Sequence, residues 1–256
     1  MYLEAIALSD VGRVRQNNED NYFLQGKVRQ DLSLLRAEEY YTGSDSQSLF
    51  AVADGMGGEE DGEIASLVTV QCLQRCALSY VKETAQNSIF QANEMICDEM
   101  LGKSGKRMGS TLAALYMDEG MAVGCNVGDS RIYFIRGGKL AQLSVDHTIV
   151  QQMVDMGVLT REEARVHKKK NIITQNIGIF PEEMLIEPHF TEPVSLQEGD
   201  MFLLCSDGLT DMVRDEEIEE ILSKKEITVQ ADALVKAALK NGGRDNVTVL
   251  LVKVKK

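Results

Sequence analysis

The stretch LFAVADGMGG, residues 49–58, joins a short apolar run to an aspartate and a set of glycines. Its apolar half, Leu49 to Ala53, has the length and the side chains of a buried β-strand. Two later stretches, DMFLLCSDGL at 200–209 and GGRDNVTVLLVKV at 242–254, also place an aspartate at the end of an apolar run. The chain therefore puts a carboxylate at the mouth of a hydrophobic strand at three places that are far apart in sequence.

Strand patterns recur along the rest of the chain, and several are joined by hairpin-length turns such as Asp118-Glu119-Gly120 and Gly137-Gly138. Because these strands follow one another without helices between them, we expect a mainly antiparallel sheet. The predicted strands are Leu3–Leu8, Tyr22–Gln25, Ser48–Ala53, Thr111–Met117, Met121–Val127, Arg131–Ile135, Lys139–Leu143, Met201–Cys205 and Val247–Val254.

Helical periodicity occupies other blocks. One long helix is predicted with Ile64, Leu67, Val68, Cys72, Cys76 and Tyr80 along one face, and a second with Ile89, Ala92, Ile96 and Met100. Four later helices are predicted at Ile149–Met156, Arg161–Val166, Asp215–Leu222 and Val229–Lys240. Paired helices beside runs of antiparallel strands predict an α+β layered sandwich and not a doubly wound parallel sheet.

Composition excludes several classes of protein. The chain has 27 Lys and Arg against 40 Asp and Glu, a net charge of −13, and this repels nucleic acid and anionic membranes. No apolar run approaches the ~20 residues of a membrane span, and the N-terminal stretch lacks the features of a signal peptide. The five cysteines form no C-x-x-C pair, which fits a reducing compartment. We expect a cytoplasmic protein with a single domain over residues 1–256.

The strand-end carboxylates are the strongest candidates for a site. Asp54 and Asp207 each follow an apolar strand and precede a glycine, Asp129 does nearly the same, and Asp245 precedes a strand. Any one instance is a common turn dipeptide, but four of them on one rim of a sheet would repel one another unless a cation lay between them. An all-oxygen ligand set selects Mg²⁺ or Mn²⁺, and Gly55 would let its carbonyl approach the ion closely.

The N-terminal segment DVGRVRQNNEDNYF, residues 10–23, adds Glu19, Asp20 and Arg15. An arginine beside a carboxylate-bound metal pair is suited to a phosphate ester, because the guanidinium can hold two phosphate oxygens. A surface salt bridge from Arg15 to Glu19 or Asp20 explains this segment alone equally well.

Two other kinds of site are disfavoured. LGKSGKRMGST at 101–111 lacks the spacing of a phosphate-binding loop, since its first glycine would fall at Cys97, and it is better explained as a flexible basic loop. The three histidines, His147, His167 and His189, show no zinc-binding spacing.

A set of short motifs resembles the metal-dependent serine/threonine protein phosphatases, the PPM or type 2C family, and in particular its bacterial branch. The set covers nearly the whole chain in the family's order, which makes it far more specific than any single motif. The motifs are V-R-x-x-N-E-D (14–20), V-A-D-G-M-G-G (52–58), G-S-T (109–111), V-G-D-S-R (127–131), D-H-T (146–148), C-S-D-G-L (205–209) and G-G-x-D-N-x-T (242–248).

The resemblance implies a four-layer α-β-β-α sandwich with two mainly antiparallel sheets and a binuclear Mn²⁺ or Mg²⁺ centre. It also implies a mobile flap at about 147–178, and it places the segment 29–47, longer than expected, as a surface excursion. By motif position Asp54 would bridge both ions, with the carbonyl of Gly55 on one of them, Asp207 and Asp245 on the other, and Glu19 and Asp20 beside them. Arg15 would bind the phosphate, so Arg15, Asp20 and Asp54 are the implied catalytic residues. Asp129 with Asp207 would form a weaker third metal site.

The implied activity is hydrolysis of phosphoserine and phosphothreonine in proteins by direct attack of a metal-bound hydroxide, in opposition to a cognate serine/threonine kinase. We expect a monomer that binds neither nucleic acid nor membranes. Met56 stands where eukaryotic relatives carry a histidine, the proposed general acid, so the source of the leaving-group proton stays open. Two alternatives also stay open: a regulatory phosphatase tied to one partner, as in anti-sigma pathways, and a non-catalytic scaffold.

Overall fold

The computed structural model describes residues 1–57, 61–102, 106–223 and 226–256. Gly58 of the D-G-M-G-G motif and the centre of the basic loop at 101–111 therefore lie outside the described residues.

The described strands all pair in antiparallel fashion. In chain order they are β1 (Tyr2–Asp10), β2 (Asn21–Leu24), β3 (Lys27–Val28), β4 (Arg36–Ser44), β5 (Ser48–Ala53), β6 (Gly55–Gly57), β7 (Met108–Ser110), β8 (Leu112–Asp118), β9 (Met121–Val127), β10 (Arg131–Arg136), β11 (Lys139–Gln142), β12 (His189–Phe190), β13 (Val194–Ser195), β14 (Met201–Cys205) and β15 (Val247–Lys255).

The described α-helices lie between these strands. They are α1 (Gly62–Gln71), α2 (Val81–Gly102), α3 (Ile149–Asp155), α4 (Arg161–Val166), α5 (Asp207–Thr210), α6 (Asp215–Leu222) and α7 (Ile227–Lys240). None of the helices in the described ranges is both long and apolar enough to cross a bilayer.

The strands form two large sheets and one small one. The first sheet has the order β11-β10-β14-β15-β1-β4, and the second has the order β12-β9-β8-β5-β2-β3 with β13 also on β9. β6 and β7 form a separate two-stranded ribbon.

Three apolar cores lie in series through the molecule. Between the sheets, Phe50 and Leu115 of the second sheet share a fully buried cluster with Phe202 and Leu250 of the first. The outer face of the second sheet packs against α1 and α2, and the outer face of the first packs against α6 and α7. The predicted four-layer α-β-β-α sandwich is thereby confirmed.

One edge of the two sheets, called here the site edge, gathers the strand ends that carry the motifs. In the second sheet Ala53 at the end of β5 pairs with Asn21 at the start of β2, and Val127 at the end of β9 pairs with Leu112. In the first sheet Cys205 at the end of β14 pairs with both Arg131 and Val249. Asp54, Asp129, Asp207 and Asp245 therefore all leave the sheets at this edge.

The prediction of a surface excursion at 29–47 is wrong. Nearly half of this segment, Arg36–Ser44, is β4, which pairs with β1 in unbroken register from Tyr2 opposite Ser44 to Asp10 opposite Arg36. The sequence RAEEYYTGS hides the strand because an edge strand needs little apolar surface: only Ala37 is fully enclosed in the alternating pattern.

The prediction of one helix from Ile64 to Tyr80 is also wrong. α1 ends at Gln71, Cys72 caps it, and Cys76 and Tyr80 lie outside it. Leaving the helix buries Leu73 in the core and lets α2 pack against α1, whereas Tyr80 is 63% exposed. The second predicted helix is confirmed, with Ile89, Ala92, Ile96 and Met100 all buried.

Candidate metal centre

Asp54 is held in place through its backbone. Its N–H donates to Thr111 Oγ1 over 3.0 Å, and the Thr111 N–H donates back to the Asp54 carbonyl over 2.9 Å. Thr111 Oγ1 also shares a 2.7 Å hydrogen bond with Ser130 Oγ. The G-S-T and V-G-D-S-R motifs thus fix the position from which the Asp54 carboxylate enters the cleft.

Gly55 occupies a position that no other residue could take. A Cβ built on it would lie 2.1 Å from the Gly62 carbonyl oxygen and 2.5 Å from the Glu19 carbonyl oxygen. The absence of a side chain lets the start of α1 and the 18–20 segment close around this backbone. The Gly55 backbone is therefore packed tightly against the start of α1 and the 18–20 segment.

Asp20 is fully buried and only half satisfied. Ser206 Oγ donates to its Oδ2 over 2.7 Å, whereas its Oδ1 has no hydrogen-bond partner in the described residues. Burial raises the pKa of this carboxyl to about 6, against the nearby hydroxyls of Thr248 and Ser206, which lower it. An unpaired carboxylate oxygen in such surroundings is costly unless a cation or a proton meets it.

Glu19 is placed by Asn246. Asn246 Oδ1 accepts the Glu19 N–H over 2.8 Å, and its Nδ2 donates to the carbonyls of Val11 and Asn17, each over 2.9 Å. This single amide therefore fastens the 11–19 loop to the start of β15. Burial, and next the charge of Glu63, raise the pKa of Glu19 to about 7.

Asp129 and Asp207 line the same cavity, and the pKa of each carboxyl is raised. Burial, followed by the charge of Asp129, raises the pKa of Asp207 well above its ordinary range. Burial, followed by the charge of Asp146, raises the pKa of Asp129 to about 7. Like charges in a poorly solvated cleft disfavour one another's ionised forms.

Arg15 lies at the mouth of the cleft with its guanidinium on Asp245. The distance from Arg15 Nη2 to Asp245 Oδ2 is 2.8 Å, and the two side chains are 50% and 39% exposed. The hydrogen bond to Asp245 is the main cause of a raised Arg15 pKa. The salt bridge expected with Glu19 or Asp20 as the alternative is thus replaced by one with Asp245.

The structure brings the predicted residues to one cleft, but their side chains do not form a complete metal coordination site. The pKa of Asp54 is raised by burial and then by Asp20, Asp207, Asp129 and Asp245. Within the described ranges, however, no three Asp, Glu, His or Cys side chains close around one point as a metal site would. The oxygen-only donors, the unpaired Asp20 Oδ1 and the excess negative charge nevertheless fit hard divalent cations. Their roles as ligands remain predictions.

Comparison with known proteins decides the family. Residues 24–241 match the family described as protein phosphatase 2C. The chain belongs to that family. It is 37% identical over 256 residues to the serine/threonine phosphatase stp of Listeria monocytogenes, covering 95% of this chain and 93% of that protein.

Solved structures agree with this assignment. The serine/threonine phosphatase PstP/Ppp of Mycobacterium tuberculosis superposes with a TM-score of 0.84 at 32% identity over the full length of both chains. The PstP catalytic domain in complex with two manganese ions gives a TM-score of 0.80 at 32% identity, again over both full chains. The prediction of a metal-dependent protein serine/threonine phosphatase is confirmed.

In this phosphatase 2C chain, the segment 147–178 covers one side of the cleft. α3 and α4 lie in it, and its ends are fastened by backbone hydrogen bonds between His147 and Gly128 and between Ile177 and Ser110. A cavity of about 300 Å³ lies beneath it, lined in part by Asp129 and Asp207. Its predicted mobility stays a prediction.

The same segment is held over the cleft by side chains. Lys170 Nζ and Asn171 Nδ2 both donate to Asp211 Oδ2, the latter over 3.1 Å. Asp211 follows α5, one helical turn after Asp207, and its charge contributes to the raised pKa of Asp207. Lys170, the last residue of the basic run HKKK at 167–170, is therefore engaged at the cleft.

Sequence reasoning missed one buried functional neighbour, Arg29. Its side chain donates to the backbone carbonyls of Asn18 and Asp20, beside two predicted site residues. Nothing in the local sequence KVRQDL marks this arginine as buried, and only its place just after a strand could have drawn notice.

Proposed function

We propose that this chain hydrolyses phosphoserine and phosphothreonine esters of proteins at a binuclear Mn²⁺ or Mg²⁺ centre. The observation that carries the proposal is the convergence on the site edge of five strand-end aspartates from two sheets, with Arg15 at the mouth. The aspartates are Asp20, Asp54, Asp129, Asp207 and Asp245. The manganese-bound PstP structure supports the binuclear character of the centre.

Each residue has a role that its surroundings support. Asp54 and the Gly55 carbonyl would hold ions on the cleft floor, Asp207 and Asp245 would complete the set, and Glu19 and Asp20 would act directly or through water. The ions, when bound, polarise the phosphoryl group and lower the pKa of a coordinated water. Asp20 and Asp54 contribute to the reaction through the charge they fix at the reacting centre.

Arg15 would bind the phosphate. Its guanidinium already lies at the mouth of the cleft, and half-exposure lets it exchange Asp245 for two phosphate oxygens at little cost. Met56, which follows Gly55 in β6, has no ionisable proton and takes no part in proton transfer.

A cysteine nucleophile is not supported. Cys205 is the cysteine nearest in sequence to a site residue, yet it is fully buried, and burial raises the pKa of its thiol far above neutrality. A thiol in that state supplies almost no thiolate. This favours direct hydrolysis without a phosphocysteine intermediate.

A third, weaker ion is part of the proposal. Asp129 and Asp207 line the cavity beneath the 147–178 segment, and two protein ligands would leave an ion there mostly hydrated. We expect Asp129→Ala to retain two tightly bound metals while turnover falls sharply. Calorimetric metal counting beside steady-state kinetics checks this, and an Asp129→Ala enzyme with unaltered kcat would exclude the role.

The partners follow from the proposed activity. Phosphorylated proteins are the substrates, and a serine/threonine kinase acting on the same proteins is the natural counterpart. We propose a monomeric cytoplasmic enzyme with one catalytic domain over residues 1–256, which the net charge of −13 keeps from nucleic acid and anionic lipid.

The test is hydrolysis of phosphoserine, phosphothreonine and phosphotyrosine peptides in Mn²⁺, in Mg²⁺ and in EDTA. We expect turnover of the first two peptides that requires a divalent cation and is lost in Asp207→Asn. Asp98→Asn, which removes an exposed carboxylate on α2, is the matched control and should keep wild-type rates. Full activity in EDTA, or an active Asp207→Asn enzyme, would contradict the proposal.

A further inference from the structure

Arg29 is a buried cation next to the cleft. Its residue is 2% exposed, and it lies in the connection between β3 and β4. Nη2 donates to the Asn18 carbonyl over 2.5 Å and to the Asp20 carbonyl over 2.7 Å, and Nε donates to the Asp20 carbonyl over 3.1 Å. The guanidinium therefore holds the backbone on both sides of Glu19.

The arginine is itself held on every side. Nη1 donates to the carbonyls of Leu32 and Leu34, each over 3.3 Å. Asn21 holds its backbone twice: Oδ1 accepts the Arg29 N–H over 3.0 Å, and Nδ2 donates to the Arg29 carbonyl over 3.1 Å. A planar guanidinium fixed in this way leaves the carbonyls that it binds little freedom to move.

Residues 35 and 36 also contact the loop that carries Arg15, Glu19 and Asp20, at its N-terminal end. The Val11 N–H donates to the Leu35 carbonyl over 2.7 Å. Arg36 Nη1 donates to Asp10 Oδ2 over 2.9 Å, and Asp10 Oδ1 accepts the Gly12 N–H over 3.0 Å. The 29–36 connection thus braces both ends of the loop that carries Arg15, Glu19 and Asp20.

All acceptors of the Arg29 guanidinium within the described ranges are neutral carbonyls. Burying a cation with neutral partners is costly unless negative charge lies nearby. Here the carboxylates that act on it are Asp20 first, then Glu63 and Asp31. Arg29 thus combines a geometric contact with the 18–20 backbone and a fixed positive charge behind the carboxylates.

We propose that Arg29 is a positioning residue that holds Glu19 and Asp20 in the geometry that divalent cations require. The inference rests on the proposed metal site. Because Arg29 already orders the 18–20 segment, binding of the ions does not have to order it. The metal affinity is therefore higher than the same carboxylates would have on a flexible loop.

The test is Mn²⁺ titration calorimetry on the full chain, performed well below the thermal midpoint of each apo protein. Arg29→Lys keeps the charge and loses the fork, and Arg29→Gln loses both. We expect Mn²⁺ affinity to fall by about tenfold to a hundredfold in both variants. kcat at limiting Mn²⁺ should fall while KM for para-nitrophenyl phosphate stays unchanged, and excess Mn²⁺ should restore kcat in Arg29→Lys.

Lys27→Gln is the matched control, since it alters a cation two residues before Arg29 that pairs with Glu39 and does not contact the 18–20 backbone. It should bind Mn²⁺ as the wild type does. A purely structural Arg29 would lower the thermal midpoint of the apo protein and leave Mn²⁺ affinity unchanged, and that result would overturn the inference. If the wild type itself bound no Mn²⁺, the proposed function would fail first.

A measurement on the wild type covers the case in which neither Arg29 variant folds. Amide hydrogen exchange at Glu19 and Asp20 should be slow in EDTA and change little on adding Mn²⁺, because Arg29 already holds the Asn18 and Asp20 carbonyls on either side of Glu19. Fast exchange in EDTA that becomes slow only with Mn²⁺ would show that the ions order this segment, and would contradict the proposal.

Discussion

At the scale of single residues, the cleft is a balance between repulsion and a few contacts that hold carboxylates in place. Asp54 is held by Thr111, Glu19 by Asn246 and Asp20 by Ser206, while the charges they carry raise one another's pKa. Arg15 offers a positive charge at the mouth of the cleft, on Asp245. These contacts suit the proposed roles, with cations inside the cleft and a phosphate at its mouth.

Arg15→Ala should weaken phosphate binding more than it harms the metal centre. One charge-assisted contact contributes about 1.5–3 kcal/mol, so kcat/KM for para-nitrophenyl phosphate should fall by about tenfold to a hundredfold, chiefly through KM. Steady-state kinetics measure this. Arg13→Ala, an exposed arginine in the same loop, is the control and should behave as wild type. Loss of Mn²⁺ binding in Arg15→Ala would show that its role is structural.

At the scale of elements, the segment 147–178 is fastened where α5 leaves β14. Lys170 reaches Asp211, and the side chains of this pair are 32% and 28% exposed. Asp211 lies one helical turn after Asp207. A shift of the segment 147–178 that moves Asp211 would therefore also change the surroundings of Asp207 in the cavity.

Lys170→Ala should release this contact and affect large substrates most. A half-buried pair contributes about 1 kcal/mol, so KM for a phosphopeptide should rise by about fivefold while kinetics on para-nitrophenyl phosphate change less. Lys168→Ala removes an exposed lysine two residues away and serves as the control. Equal effects on both substrates would place the role of Lys170 in the metal site and not in substrate contact.

The elements also show what sequence could predict. Strand-end aspartates such as Asp54 and Asp207 were predictable because an apolar run followed by Asp-Gly is a local pattern. β4 and the contacts of Arg29 were not, because an edge strand with one enclosed side chain and an arginine bound to distant carbonyls have no local pattern. The end of α1 at Gln71 likewise depends on packing against α2, with no glycine or proline to mark it.

At the scale of the whole molecule, the two sheets bring together carboxylates that the chain separates by more than 200 residues. The inter-sheet core fixes the distance between the two sheets and thus the width of the cleft. Folding therefore concentrates negative charge at the site edge. The resulting loss of stability depends on pH and on bound metal.

Without metal, the protein should become less stable as pH rises towards neutrality. Folding raises the pKa of Glu19 from 4.5 to about 7, of Asp129 from 3.8 to about 7 and of Asp20 from 3.8 to about 6. The folded state thus holds more protons than the unfolded state between about pH 4 and 7, and the stability contributed by these groups at low pH is lost across that window.

Thermal midpoints in EDTA at pH 5, 6, 7 and 8 check the sign. The EDTA midpoint should decrease across the series, whereas the added stability from saturating Mn²⁺ should increase with pH, because the ions bind the ionised carboxylates. A midpoint in EDTA that rises steadily from pH 5 to 8 would show that these carboxyls are not strained in the metal-free fold.

The central claim is that carboxylates from both sheets hold two divalent cations at the site edge. The most direct measurement is a crystal structure of the Mn²⁺-loaded protein with anomalous difference density recorded at the manganese absorption edge. Two strong peaks should lie between Asp54, Asp207 and Asp245, with the Gly55 carbonyl oxygen at coordination distance from one of them. A cleft without anomalous peaks in an enzyme that is active under the same conditions would contradict the account.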